Sequence, residues 1–246
     1  MSLKYEMKEQ GEFLFRWRSY FPIIFVVFLF ATVLADPIEA MTPEARESRA
    51  LACLTIAVVG LFVRVYTVGF VPRKTSGRNT KKQVAEALNT TGIYSVVRHP
   101  LYVGNYLSGL GIALYSGIWW MGIVYTLSFF LYYERIMFAE EEFLRGKFGE
   151  DYESWSAGTP AFWPRLGNFK RSDLAFSFRA VLRREYPGFF AMILGFALLD
   201  LVMAVSREHT PGLLPIWQYL LAGGAFLYVL LRTIKRYTRF FHVAGR

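Results

Sequence analysis

The chain has 246 residues, of which 54% are hydrophobic and 18% aromatic; 19% are charged, and the formal net charge is +9. That balance is too poor in charge for an ordinary soluble domain of this length. The single cysteine, Cys53, lies in an apolar run and excludes a disulfide framework or a cysteine-based metal site.

The first ten residues are polar and of mixed charge. The apolar run that begins near Phe21 lacks a small-residue cleavage signature, so it reads as a retained span rather than a removed signal peptide. Six apolar segments follow one another, at about 20–35, 50–71, 101–115, 118–133, 188–205 and 213–231. A helix needs ~20 apolar residues to cross the hydrocarbon core. The second, fifth and sixth segments reach that length, and the first reaches it if Phe13 to Trp17 extend it. The third and fourth form a tight, short pair.

Lysine and arginine are counted along the chain as four before the first segment, then two, six, none, nine and one in the successive loops, and five in the tail. High and low counts alternate, as the positive-inside rule requires of six spans with both termini in the cytoplasm. The expected fold is therefore all-α: a polytopic transmembrane helix bundle of about six spans, multi-pass and integral to the membrane, with a cytoplasmic-side cofactor pocket. The excess positive charge is accounted for by anionic headgroups, so no nucleic-acid partner is expected. Arg64 falls inside the second span and must face protein or snorkel. Asp200, in the fifth, reads as a helix-to-helix hydrogen bond. The histidines His99, His209 and His242 show no ligand spacing, and no metal is expected.

Two stretches carry chemistry. In the first, Gly92 frees the backbone, His99 is biased away from helix by Pro100, and Pro100 suits a first helical turn. Arg98 and His99 thus stand at a helix N-terminus at the membrane surface, a natural place for an anionic group. Gly104, Ser108, Gly109 and Gly111 follow, spaced for close helix contact or a bound ligand. In the second stretch Glu140, Glu141 and Glu142 need a cation or solvent. By charge pattern alone they read as a solvated face paired with Arg135, Arg145 and Lys147.

Together the two stretches read Gly-x-Tyr-x-x-x-Arg-His-Pro-x-Tyr-x-Gly and, after a short apolar hairpin, Glu-Glu-x-x-Leu-x-x-x-Phe-Gly-x-x-Tyr. This combination resembles the isoprenylcysteine carboxyl methyltransferase and phospholipid methyltransferase families, over about 86–164, ending in Trp163-Pro164. The resemblance implies S-adenosylmethionine as cofactor. It implies a pocket lined by Tyr94, His99, Pro100, Leu101 and Tyr102 and closed by Glu140, helped by Glu141. Residues 86–89, with Leu88, would meet the cofactor largely through backbone. In the prenylcysteine enzymes an arginine one turn before the glutamates orients the acceptor; Arg135 stands nearest, one residue earlier. Arg98, His99, Glu140 and Arg135 are thus the candidate catalytic residues.

The organisation expected is N-terminal transmembrane helices over 1–71, a catalytic core with a helical hairpin over 72–165, and a basic linker with two additional transmembrane helices over 166–246. The function expected is methyl transfer to a lipid or lipidated acceptor bearing a carboxylate, phosphate or amine. The nine cations beside the site, Arg165, Lys170 and Arg171 among them, suggest an anionic acceptor. Two other readings compete. One is a membrane reductase of the sterol and steroid type using NADPH. The other is a non-enzymatic scaffold or carrier, for which Arg64 and Asp200 are the candidate midplane charges.

Overall fold

The computed structural model describes residues 2–35, 42–72, 84–208 and 212–241. His209, His242, Arg73, Lys74, Arg78, Lys81, Lys82 and Arg246 lie outside the described residues. Eight α-helices are described, and no strand is found among these residues: α1 (Leu3–Trp17), α2 (Phe21–Ala35), α3 (Pro43–Phe70), α4 (Pro100–Tyr115), α5 (Met121–Phe148), α6 (Glu150–Gly158), α7 (Phe178–Met203) and α8 (Pro215–Tyr237). The α-helix of α7 closes in a π-helical turn, Ala204–Glu208.

Each expected apolar segment forms a helix, and α2, α3, α4, α5, α7 and α8 run alternately end to end. At one end Arg18 meets Glu140 and Ser177 bonds Gly69. At the other, Arg46, Tyr115, Asp200 and Trp217 converge. The expected count of six spans is not met by length and composition. Among the described residues two helical stretches, Glu44–Phe70 and Phe178–Ser206, are long and apolar enough to cross a membrane, and a third counts only if α1 and α2 are taken as one span. The physical reasons differ. At 15 and 16 residues α2 and α4 reach about 22–24 Å, short of the ~30 Å core. In α5 the apolar half gives way to charge from Glu134 onward, and α8 carries Gln218, Arg232, Lys235 and Arg236. Nor do Phe13 to Trp17 lengthen the first span in line, because the chain turns by 76° between α1 and α2.

Small residues set the closest packing. A Cβ on Gly60 would lie 2.5 Å from the Gly104 carbonyl, and one on Gly111 2.5 Å from the Cys53 carbonyl. Ser108 donates to the Ala57 carbonyl at 3.2 Å. Gly104, Ser108 and Gly111 therefore serve helix contact between α3 and α4, whereas Gly109 faces Tyr125. Aromatic rings fill the layer between α4 and α5, where Tyr106, Phe129, Phe130 and Phe162 lie in mutual contact.

At the far end Asp200 is fully buried and its partners come from three other elements. It accepts from Arg46 Nε at 2.9 Å, from the Tyr115 hydroxyl at 2.5 Å and from the Leu214 amide at 2.9 Å. Trp217 Nε1 donates to the Tyr115 oxygen at 3.0 Å. The helix-to-helix bond expected of Asp200 is thus a network that ties α7 and the entry to α8 onto α3 and α4.

Candidate active site

The first motif stretch is held by its backbone. Gly92 has φ +61°, a left-handed conformation that costs glycine little. Its amide donates to the Lys170 carbonyl at 2.8 Å, and the Lys170 amide returns to Ser95 Oγ at 2.8 Å. The Arg98 and His99 amides donate to the carbonyls of Pro160 and Ala161, at 2.9 and 3.1 Å, and the Arg165 amide donates to Val96 at 2.9 Å. Trp155 Nε1 donates to the Tyr94 carbonyl at 3.0 Å. The segment that ends in Trp163-Pro164 is therefore a brace laid along residues 92–99. His99 is the N-cap of α4 with φ −119° and ψ 60°, and Pro100 occupies the first turn, as the sequence requires.

Onto this frame α5 brings its carboxylates. Glu140 Oε1 accepts from the Tyr102 hydroxyl at 2.9 Å, and Glu140 Oε2 lies 3.5 Å from His99 Nδ1. Glu141 Oε1 accepts from His99 Nε2 at 2.9 Å and pairs with Arg98 Nε at 3.0 Å. Both nitrogens of the imidazole thus meet a carboxylate. Burial disfavours the charge on His99, but the hydrogen bonds and charges of Glu140 and Glu141 outweigh it and raise its pKa above the ordinary 6.5. Burial likewise works against a charged Glu141, and there His99 and Arg98 prevail and hold its pKa below 4.5. The Tyr94 hydroxyl is pushed up by burial and by Glu140, so it remains a proton donor.

These side chains open on a cavity of about 790 Å³, within the usual size for a small-molecule site. Its polar end is lined by Leu88, Tyr94, Arg98, His99, Tyr102 and Glu140, together with Pro100 and Leu101. It continues between α2, α4, α5 and α7 past Phe25, Leu29, Ile112, Phe129 and Met192. Two sequence candidates do not line it. Glu141 sits behind His99 and Arg98. Arg135 turns to the opposite side of α5, where it donates to Gln10 at 2.8 Å and to the Leu131 carbonyl. Arg165, Lys170 and Arg171 are exposed and also off the cavity.

The cavity instead has cations the motifs do not contain: Arg18, Arg64 and Arg184. Arg64 donates to Glu185 through Nε at 2.8 Å and Nη2 at 3.1 Å, and through Nη1 to Asn105. The intramembrane arginine therefore faces protein, and its counterion comes from α7. An arginine in a span signals that a partner exists; nothing local names Glu185, which lies 121 positions away. Among the described residues no group of three His, Cys, Asp or Glu side chains is arranged to hold a metal ion.

Residues 49–151 match the family model described as phospholipid methyltransferase. Curated relatives include the nickel-cobalt-cadmium resistance protein NccN of Alcaligenes xylosoxydans xylosoxydans, 34% identical over 48% of this chain and 53% of its own length. The cobalt-zinc-cadmium resistance protein CzcN of Cupriavidus metallidurans is 35% identical over 48% and 51%. The protein-S-isoprenylcysteine O-methyltransferase of Schizosaccharomyces pombe is 31% identical over 35% and 37%. The chain thus spans about half the length, or less, of these relatives. No solved structure matches it. The matched residues contain the α4 N-terminus with Arg98 and His99, the hairpin, and Glu140 and Glu141 of α5, so the similarity to the phospholipid methyltransferase family lies in the segment that carries both motif stretches.

Proposed function

We propose that this integral membrane protein is an S-adenosylmethionine-dependent methyltransferase acting on a lipid or lipidated acceptor. The observation that carries the reading is the two-part cavity, whose polar end holds the motif side chains and whose remainder is apolar and runs between helices. The family match over residues 49–151 and the likeness to a protein-S-isoprenylcysteine O-methyltransferase support it.

The residues present fit such a cofactor. The α4 N-terminus with Arg98 offers a site for its carboxylate. Glu140 offers acceptors to its amino and hydroxyl groups. Tyr94, Leu101 and Trp155 offer flat and apolar walls for a base. S-adenosylmethionine supplies a methyl group on a sulfonium whose charge is lost in the transfer. A bare carboxylate near that sulfur would hold the ground state and oppose the reaction. Glu185 also lines the cavity, and its charge is balanced by Arg64. What remains for the protein is alignment of the two reactants and exclusion of water, which Tyr102, His99 and Glu141 serve by fixing Glu140 and Arg98. Glu141 is in this reading a positioning residue.

The termini and both motif stretches are proposed to face the cytoplasm. The described cations of the N-terminal segment, the 134–187 stretch and the end of α8 gather at the end of the bundle that carries the cavity's polar part. The cofactor would enter from that side and the acceptor from the bilayer.

Calorimetric titration of the detergent-purified protein with S-adenosylhomocysteine tests the reading. Micromolar binding, lost in His99→Ala and in Glu140→Ala, is expected. A well-folded wild type that shows no binding would overturn it, and nicotinamide nucleotides would be titrated next.

A further inference from the structure

Carboxylates neutralise many of the cations around the polar end of the cavity. Lys4 pairs with Glu142 at 3.0 Å, Arg18 with Glu140 at 3.7 Å and Arg98 with Glu141 at 3.0 Å, and Arg145 pairs with Glu142 and Glu153. Helix α1 is itself held on α5, by the Tyr132 hydroxyl on the Leu14 carbonyl at 3.1 Å, by Arg135 on Gln10 at 2.8 Å, and at Gly11, where a Cβ would lie 2.8 Å from that of Ala139. The charges of α1 and α5 thus serve one another.

A second group of cations, where the start of α7 meets the end of α8, is arranged differently. Among the described residues Arg179, Arg183 and Arg232 pair with no carboxylate; they meet aromatic rings and carbonyls instead. Arg179 lies 4.9 Å over the Phe240 ring, and Arg183 Nη1 donates to the Phe241 carbonyl at 3.4 Å. Arg232 donates to the Tyr228 hydroxyl at 2.7 Å, and Lys235 Nζ donates to the Arg183 carbonyl at 3.3 Å and lies 5.5 Å over the Tyr186 ring. Neither helix has a carboxylate to offer. Helix α8 contains none, and in α7 Glu185 is bonded to Arg64 while Asp200 stands at the other end.

These residues form the two sides of one cleft. On α7 Arg179, Arg183, Tyr186 and Phe190 succeed one another at helical spacing, and on α8 Tyr228, Arg232 and Lys235 do the same. Tyr228 bridges the two rows, with its ring 5.3 Å from Tyr186 and 5.2 Å from Phe190. Phe241 is buried, so the chain beyond α8 folds back against the first turns of α7. Charge therefore lies at the outer end of the cleft and half-buried rings lie beneath it, in the order of a headgroup layer above acyl chains. The cleft is on another face of α7 from the cavity, which takes Arg184, Glu185 and Gly188. Like charges gathered in this way repel one another unless an anion joins them, and a ring face offsets only part of that.

We infer that the α7–α8 cleft binds an anionic phospholipid of the bilayer, with its phosphate among Arg179, Arg183 and Arg232 and its acyl chains along Tyr186, Phe190 and Tyr228. The bound lipid ties α8 to α7, the helix that carries one wall of the cavity. It is a structural ligand on the outside of the bundle, and its binding requires no methyl donor.

The test is lipid retention by the full chain in detergent, counted by native mass spectrometry after equilibration with equal amounts of dioleoylphosphatidylglycerol and dioleoylphosphatidylcholine. The two probes share their chains and differ in net charge. A surface cation favours an anionic lipid by roughly fivefold, so wild type is expected to prefer phosphatidylglycerol by ~10- to 100-fold. The combined variant Arg179→Gln, Arg183→Gln, Arg232→Gln should bring the preference below about threefold, and the same three positions changed to lysine should keep most of it. Arg179→Gln alone alters one exposed side chain, which leaves folding intact, and should lower the preference by ~3- to 5-fold. The control is Arg165→Gln, Lys170→Gln, Arg171→Gln, which removes the same charge from exposed positions at the same end of the bundle; it should stay within about twofold of wild type. A wild type without preference, a control that loses as much as the cleft variant, a lysine variant that falls as far as the glutamine one, or an unchanged Arg179→Gln overturns the assignment.

Discussion

Truncating Glu185 isolates the energetic role of α7. Glu185→Ala removes both charge-assisted hydrogen bonds to Arg64, at 2.8 and 3.1 Å, and leaves a guanidinium inside a span. Removing one partner of a buried, hydrogen-bonded charge pair costs about 2–5 kcal/mol, most of it for the stranded charge. Here the cost falls in the lower half, about 2–3 kcal/mol, because the Arg64 side chain keeps 22% exposure and retains Asn105. For a chain of this size each kcal/mol moves the midpoint by ~2–4 °C, so Tm should fall by roughly 4–12 °C. Tryptophan fluorescence during heating in detergent reads this directly. Replacing both members, Arg64→Leu with Glu185→Leu, should recover at least half of the loss, since an apolar pair removes the stranded charge. A single variant within about 1 °C of wild type, or a double variant no better than the single, refutes the view that α7 supplies the counterion of the core.

Three further outcomes follow from the same geometry. Asp200→Ala takes the buried carboxylate from Arg46, which keeps its bond to the Gly212 carbonyl, and removes the acceptor of the Tyr115 hydroxyl; it should cost about 3–5 kcal/mol by the same thermal assay, Asp200→Asn less. Gly104→Val has no room, because its Cβ would lie 2.7 Å from the Gly60 carbonyl and 2.5 Å from Arg64 Cγ; a loss of at least about 1–3 kcal/mol is expected, with weakened Arg64 pairing. The advantage in Tm of wild type over His99→Gln should depend on pH. The His99 pKa is raised, so its contribution is complete below 6.5 and fades as pH rises through the raised value; that of Glu141 is lowered, so its share is complete above 4.5 and fades as pH falls through the lowered value. The advantage is therefore greatest between those limits and shrinks on the alkaline side, and an advantage that grows there would contradict the pairing.

The parts of the site that the sequence revealed are those whose chemistry is contiguous. Gly92, the His99-Pro100 junction and the Glu140-Glu141 pair announce a loop, a helix start and a carboxylate cluster within a few residues each; His99, Pro100 and Glu140 line one cavity, and Glu141 stands behind His99. Trp163-Pro164 closes the motif because the segment before it bonds the backbone of Arg98 and His99. The parts not legible are the ones made by tertiary pairing. Arg135 has the better motif spacing, but a helix presents only part of its circumference to a cavity, and α1 takes the side on which Arg135 lies. The cations Arg18 and Arg184 read only as positive charge near a membrane. The count of six spans is not confirmed by length and composition for a related reason. Apolar periodicity locates helices, whereas length against the bilayer is a separate condition, which α2 and α4 miss.

The position of Arg64 explains why this core is not self-sufficient in this chain. It lies within the matched segment 49–151, where it donates to the neutral Asn105. Its stem packs over Gly104, the residue that lets α3 and α4 approach, so the charge is fixed by a close helix contact. A charge so placed needs an opposite charge at the same depth. Glu185 provides it from α7, and Asp200, in the last turn of the same helix, anchors the other end to Arg46 and Tyr115. Two ionic attachments at opposite ends of α7 fix its register against α3 and α4, and with it the position of the cavity wall that Arg184, Glu185 and Met192 form. In the same way α1 is fixed on α5 by Gln10, Gly11 and Leu14 before it delivers Arg18. The helices on either side of the matched segment are on this account walls of one site, and the chemistry each contributes is a charge that the core's own motif lacks.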